Sequence, residues 1–77
     1  MTRGEFVTEF ASILGLSPEA LTPETEMGTI ETWDSVAYLM AMLLIDEKLG
    51  ISVPAESLSG ARTFAHILEA VGPGLEN

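Results

Sequence analysis

Trp33-Asp34-Ser35-Val36-Ala37-Tyr38-Leu39-Met40-Ala41-Met42-Leu43-Leu44-Ile45-Asp46-Glu47-Lys48-Leu49-Gly50 is the stretch on which the fold turns. Asp34 has the short acceptor side chain of an N-cap, and Gly50 is a C-terminal breaker. One helix is therefore expected from the Asp34 cap to about Leu49. At about 100° per residue, with Ser35 at 0°, Tyr38, Ala41, Met42, Ile45 and Leu49 cluster between roughly 240° and 340°. Val36, Leu39, Met40 and Leu43 cluster between roughly 40° and 140°. Two apolar stripes are more than one core requires.

The charges decide which stripe faces water. Asp46 falls near 20° and Glu47 near 120°, flanking the second stripe. Burying that stripe would drag two unpaired carboxylates toward the core, at several kcal/mol each. Tyr38, Ala41, Met42, Ile45 and Leu49 are thus expected inside. Val36, Leu39, Met40 and Leu43 are expected to form an exposed strip, edged by Asp46 and Glu47 and headed by Ser35. Contiguous exposed apolar surface marks a binding site, unless the preceding loop folds over it.

Outward from this helix, Phe6, Val7, Phe10, Ile13 and Leu14 form one stripe, so a first helix is expected over about Thr2 to Leu14. Thr2 is its cap and Gly15 its stop. From Leu16 to Trp33 the periodicity fades into a long loop, with Leu16, Leu21, Met27 and Ile30 as anchors. Single helical turns are expected at Ser17-Pro18-Glu19 or Thr22-Pro23-Glu24. Val53-Pro54 is extended, Pro54 to Leu58 makes a short helical turn, and Thr63 caps a last helix to about Val71. Phe64, Ile67, Leu68 and Val71 share its face, Gly72-Pro73-Gly74 ends it, and the final residues fray. The expected fold is all-α: a small up-and-down bundle of three main helices and a short one, one domain over 1–77.

Composition narrows the function. A chain of 77 residues buries only roughly 60% of its unfolded surface, so its apolar residues go to the core rather than to a deep catalytic cavity. Without Cys there is no disulfide or thiolate metal site, and a lone His66 cannot build a zinc centre. Lys and Arg number 3 against 12 Asp and Glu, a net charge of −9. Such a surface repels nucleic acid and attracts a partner with a basic patch. The opening Met-Thr-Arg-Gly-Glu has no apolar run of the secretory kind. The run Val36–Ile45 is about half the ~20 residues that span a bilayer. A cytoplasmic monomer is the expectation.

Trp33-Asp34-Ser35-Val36, the apolar helix, Asp46-Glu47 and Leu49-Gly50-Ile51-Ser52-Val53-Pro54 together resemble the acyl carrier protein family. That family shows Asp-Ser-Leu, a helix ending in acidic residues, and Phe-Gly-Ile-x-Ile-Pro, and the resemblance covers nearly the whole chain. It implies that Ser35 carries 4'-phosphopantetheine, transferred from coenzyme A by a phosphopantetheinyl transferase, with Asp34 matching the Asp before the modified Ser. The arm's thiol, not a protein side chain, would hold an acyl or aminoacyl cargo. Val36, Leu39 and Leu43 match apolar partner-facing positions, and Asp46 and Glu47 match acidic recognition residues. Partners would be a loading ligase and a downstream synthase or transferase. Many fatty-acid carriers have acids two and five positions after the Ser and a small residue before the Asp. Here Ala37, Met40 and Trp33 stand there, which points to a specialised pathway of polyketide, nonribosomal peptide, amino-acid or modified-sugar chemistry. The resemblance thus implies a carrier, not an enzyme.

Two other readings stay open. A non-catalytic interaction module would bind a partner through the same strip. A small hydrolase would use Ser35 as nucleophile, which needs a base within hydrogen-bond reach, and His66 is the one His available. Trp33 either shields the base of the arm or fills a gap in the loop. Tyr38 is read as core with its hydroxyl at an edge.

Overall fold

Helix α1 (Arg3–Leu14) begins where Thr2 and Glu5 exchange caps: the Glu5 N–H donates to Thr2 Oγ1 (3.1 Å) and the Thr2 N–H to Glu5 Oε1 (2.9 Å). Two of the N–H groups that a helix start leaves unpaired are thereby used. The backbone bond from Thr2 holds the Glu5 carboxyl below its ordinary range. A folded value below the unfolded one makes the contribution present at neutral pH and lost as pH falls through the folded value. Glu5→Gln, which keeps an acceptor without a charge, is expected to flatten the acid limb of the pH–melting curve slightly. Thermal melts from neutral pH to below the ordinary Glu range, where the folded value lies, check this.

The computed structural model describes residues 1–76. Four helices follow in chain order: α1, α2 (Ser35–Leu44, continued by a π turn over Ile45–Leu49), α3 (Ala55–Ser59) and α4 (Phe64–Val71). Short 3-10 turns occupy Pro18–Ala20, Met27–Thr29 and Gly72–Gly74. Among the described residues there are no strands, only isolated bridges Thr2–Glu76 and Glu26–Thr63. The architecture is a compact all-α globule of three main helices and a short one. No helix is long and apolar enough to cross a membrane among the described residues.

Its core follows the α1 and α4 stripes. Phe6, Phe10, Ala11 and Leu14 are buried from α1, and Phe64, Ile67, Leu68 and Val71 from α4. Every aromatic residue of the chain joins one cluster. Phe10 lies 5.6 Å from Phe6, 5.2 Å from Phe64 and 5.5 Å from Trp33 between ring centroids. Trp33 in turn meets Tyr38 edge-on at 4.4 Å. An aromatic column therefore runs from α4 through α1 to the start of α2, with ring separations in the favourable range.

The long loop is ordered by anchors and by backbone bonds. Leu21 and Met27 are buried, while Leu16 and Ile30 are half-buried against the core. Thr25 and Pro23 carbonyls accept the Phe64 and Ala65 N–H groups (both 2.9 Å), so the loop caps α4. The Met27 N–H reaches the Arg62 carbonyl (3.0 Å), and Thr32 Oγ1 donates to the Leu14 carbonyl (2.8 Å). The turn at Pro18 is helical as expected. The one at Pro23 is a plain turn closed by the Thr25 N–H on Thr22, and the helical turn falls at Met27 instead.

Three expectations need correction. First, α2 does not stay α-helical to Leu49. Its last turn widens, leaving Asp46, Glu47 and Lys48 all in solvent between buried Ile45 and half-buried Leu49, before Gly50 closes it at φ +67°. Second, the buried face of α2 lies about 70° round the helix from the one expected. Ala37, Ala41, Leu44 and Ile45 are buried, while Tyr38, Met42 and Leu49 are only half-buried. In a helix apolar almost all round, periodicity marks the inner face weakly, and a small Ala37 buries as readily as a large residue. Third, Leu75 and Glu76 are not frayed. Leu75 packs on the core, and the Glu76 N–H donates to the Met1 carbonyl (2.9 Å) beside an ion pair of its carboxylate with the Met1 ammonium (3.2 Å). The expected fraying of Asn77 lies outside the described residues.

Candidate functional site

Ser35 is the first residue of α2, and its placement follows from the residues on either side. Asp34 Oδ1 accepts the Ala37 N–H at 3.0 Å, as an N-cap should. Trp33, just before the cap, packs on Tyr38, the fourth helical residue. This is the hydrophobic staple that fixes the angle at which a chain enters its helix. Thr32, one residue earlier, is tied to the end of α1. Cap, staple and tie hold the backbone of Ser35 from three sides while its side chain stays exposed.

The hydroxyl itself is uncommitted. Ser35 Oγ makes no hydrogen bond within the described chain, and the Ser35 and Val36 N–H groups have no backbone partner. Such a start favours negative charge through the free N–H groups and the helix dipole. A phosphodiester on Ser35 fits these residues on both counts: an accessible oxygen and nearby donors. Asp34→Ala is expected to lower stability by about 1 kcal/mol through loss of the cap. Asp34→Asn, which retains the acceptor, should cost far less, as urea unfolding would show.

Below Ser35 the expected strip is exposed as the charge argument required. Val36 is 64% exposed, Leu39 61%, Met40 47% and Leu43 50%, and these are the large hydrophobic residues left in solvent among those described. The long loop does not cover them. Asp46 and Glu47 are exposed at the far end of the same helix. Alongside, Leu39, Met42, Leu43, Ile45 and Asp46 form one wall of a groove of about 280 Å³, with Ile51, Ser52 and Val53 as the other.

Sequence reasoning missed this second wall and the staple. The staple had a signal: Trp33 and Tyr38 flank an N-cap at the staple spacing. Trp33 fills space against Phe10 and Tyr38 rather than standing free over Ser35. Tyr38 is half-buried and its hydroxyl reaches solvent, since no buried polar side-chain atom among the described residues lacks a partner. His66 lies exposed on α4, where its Nδ1 accepts the Thr63 N–H at 3.3 Å. It thereby acts as part of the α4 cap and has no hydrogen bond to Ser35.

Compared with known proteins, the chain matches no family model, and no curated protein matches it.

Proposed function

We propose that this chain is a carrier protein that holds acyl or aminoacyl intermediates on a 4'-phosphopantetheine arm at Ser35. The observation that carries the reading is the exposed, unbonded Ser35 hydroxyl, fixed at a helix start and heading an exposed apolar strip. When bound, the arm supplies a thiol that holds the cargo as a thioester. The chain's own residues do the rest. Ser35 Oγ offers the attachment oxygen, Asp34 keeps the helix start formed, and the free N–H groups favour the phosphodiester. Val36, Leu39, Met40 and Leu43, with Asp46 and Glu47, present the arm to partner enzymes.

Those partners are a phosphopantetheinyl transferase, a loading ligase and a downstream synthase or transferase. The chain is not an enzyme in this reading, because chemistry on the cargo belongs to them. Two copies at −9 repel each other, which favours a monomer. A reducing compartment such as the cytoplasm keeps the arm's thiol free. Met40 leaves the strip near the arm without acid, which favours a dedicated partner of a specialised pathway.

Incubation with coenzyme A and a broad-specificity transferase, followed by intact-mass measurement, tests the proposal. A gain of one phosphopantetheinyl group per chain is the expected result. An unmodified mass under conditions that fully modify a known carrier would refute it. The exposed strip also suits a plain interaction module, and that reading predicts partner binding without any modification.

A further inference from the structure

Ile51, Ser52 and Val53, the wall of the groove opposite α2, are held by packing rather than by backbone bonds. Among the described residues their N–H and carbonyl groups make no backbone hydrogen bond. They run from Gly50, which closes the π turn, to Pro54, which opens α3. Ile51 and Val53 are half-buried against the core, so side-chain contact fixes their place. A segment without backbone hydrogen bonds belongs to the least stable part of a fold. Gly74 stands behind it. A Cβ on Gly74 would lie 3.0 Å from Leu49 Cβ and 3.1 Å from Ile51 Cδ1, so this close approach uses the missing side chain. Gly74 ends a 3-10 turn, and after it Leu75 packs on the core and the Glu76 N–H meets the Met1 carbonyl (2.9 Å). Gly72–Glu76 is thus a strap pinned by one apolar side chain and one backbone bond. The ion pair of Glu76 with Met1 adds little, because the Glu76 side chain is 76% exposed.

We infer that the strap Gly72–Glu76 is the latch of the groove. Seated, it backs Ile51 and sets the width between the two walls. Lifted, it lets Ile51–Val53 swing away from α2, turning about Gly50 and Pro54. The α2 wall does not follow, because Ala41, Leu44 and Ile45 tie that helix to the core. Groove width is therefore governed from the far side of Ile51, by residues that do not line the groove themselves. The latch does not depend on the carrier reading, since it involves neither Ser35 nor anything attached to it.

The chain has no Cys, so one introduced thiol reports on one place. Val53→Cys puts it on the swinging wall, and Ile13→Cys, also half-buried against the core but on α1, serves as the control. Each full-length chain is labelled with N-ethylmaleimide well below its melting temperature and followed by intact mass. When reclosing is fast, the rate tracks the population of the open form. Leu75→Ala unpins the strap and is expected to speed labelling of Val53→Cys about tenfold, with less than a twofold change at Ile13→Cys. Gly74→Ala, which forces strap and wall apart, should speed it about threefold or more. Adding Ile51→Val removes the δ1 methyl that the new Cβ would meet, and should recover part of that rise. If Leu75→Ala fails to fold, the Gly74→Ala and Ile51→Val pair decides the matter. An equal rise at both thiols means that the whole fold has loosened, and overturns the inference. Unchanged labelling of Val53→Cys overturns it too, because α3 alone then holds the wall. So do Gly74→Ala and Ile51→Val effects that simply multiply, since strap and wall are then uncoupled.

Discussion

Ser35→Ala is expected to abolish pantetheinylation outright while leaving the fold intact. The acceptor oxygen is removed, and no other change at the site follows from it. The cap on α2 is Asp34, whose carboxylate bonds the Ala37 N–H whatever stands at position 35. Ser35 Oγ has no partner to lose and its side chain is exposed. Alanine is also the better helix former, so stability should stay within about 0.5 kcal/mol of wild type. Intact mass after incubation with coenzyme A and transferase gives the first result, and urea unfolding the second. A variant that still gains the full group would move the arm to another hydroxyl. The same variant separates the carrier from an interaction module, which would bind its partner equally well without the hydroxyl.

The outer face of α2 was legible because charge placement is a strong constraint. Asp46 and Glu47 cannot be buried cheaply, so the stripe they flank had to be Val36, Leu39, Met40 and Leu43, and these are exposed. The α1 and α4 cores were legible because each shows one clean stripe. The inner face of α2 was read less well, because apolar residues surround the helix and only packing against neighbours selects Ala37 and Leu44. The π turn and the groove depend on how Gly50 and Ile51–Val53 return along the helix, which no local pattern encodes. Ser35 could be singled out from Asp34-Ser35 and its surroundings. The staple that holds it could also have been found, since the Trp33–Tyr38 spacing around an N-cap is a local signal.

Phe10→Ala is expected to have the largest effect on stability. Phe10 is fully buried and is the ring that touches Phe6, Phe64 and Trp33. Truncating a buried Phe costs about 3–5 kcal/mol in lost burial and residual cavity. A domain of 77 residues has roughly 4–12 kcal/mol in all, so the variant loses about a quarter of its stability or more and unfolds outright at the low end of that range. If folded, it should melt at least about 12 °C lower, and Trp33 fluorescence should shift to the red as its packing partner is lost. Phe10→Leu keeps most of the volume and should cost well under half as much. A midpoint for Phe10→Ala within about 1 kcal/mol of wild type would mean that the aromatic column is not what joins the helices. The column also ends at the staple beside Ser35. Loss of Phe10 should therefore slow modification by more than the unfolded fraction accounts for, measured at a temperature where the variant is still folded. A rate that tracks the unfolded fraction alone would mean that Asp34 and Thr32 suffice to present the hydroxyl, with Trp33 contributing to the core and nothing further.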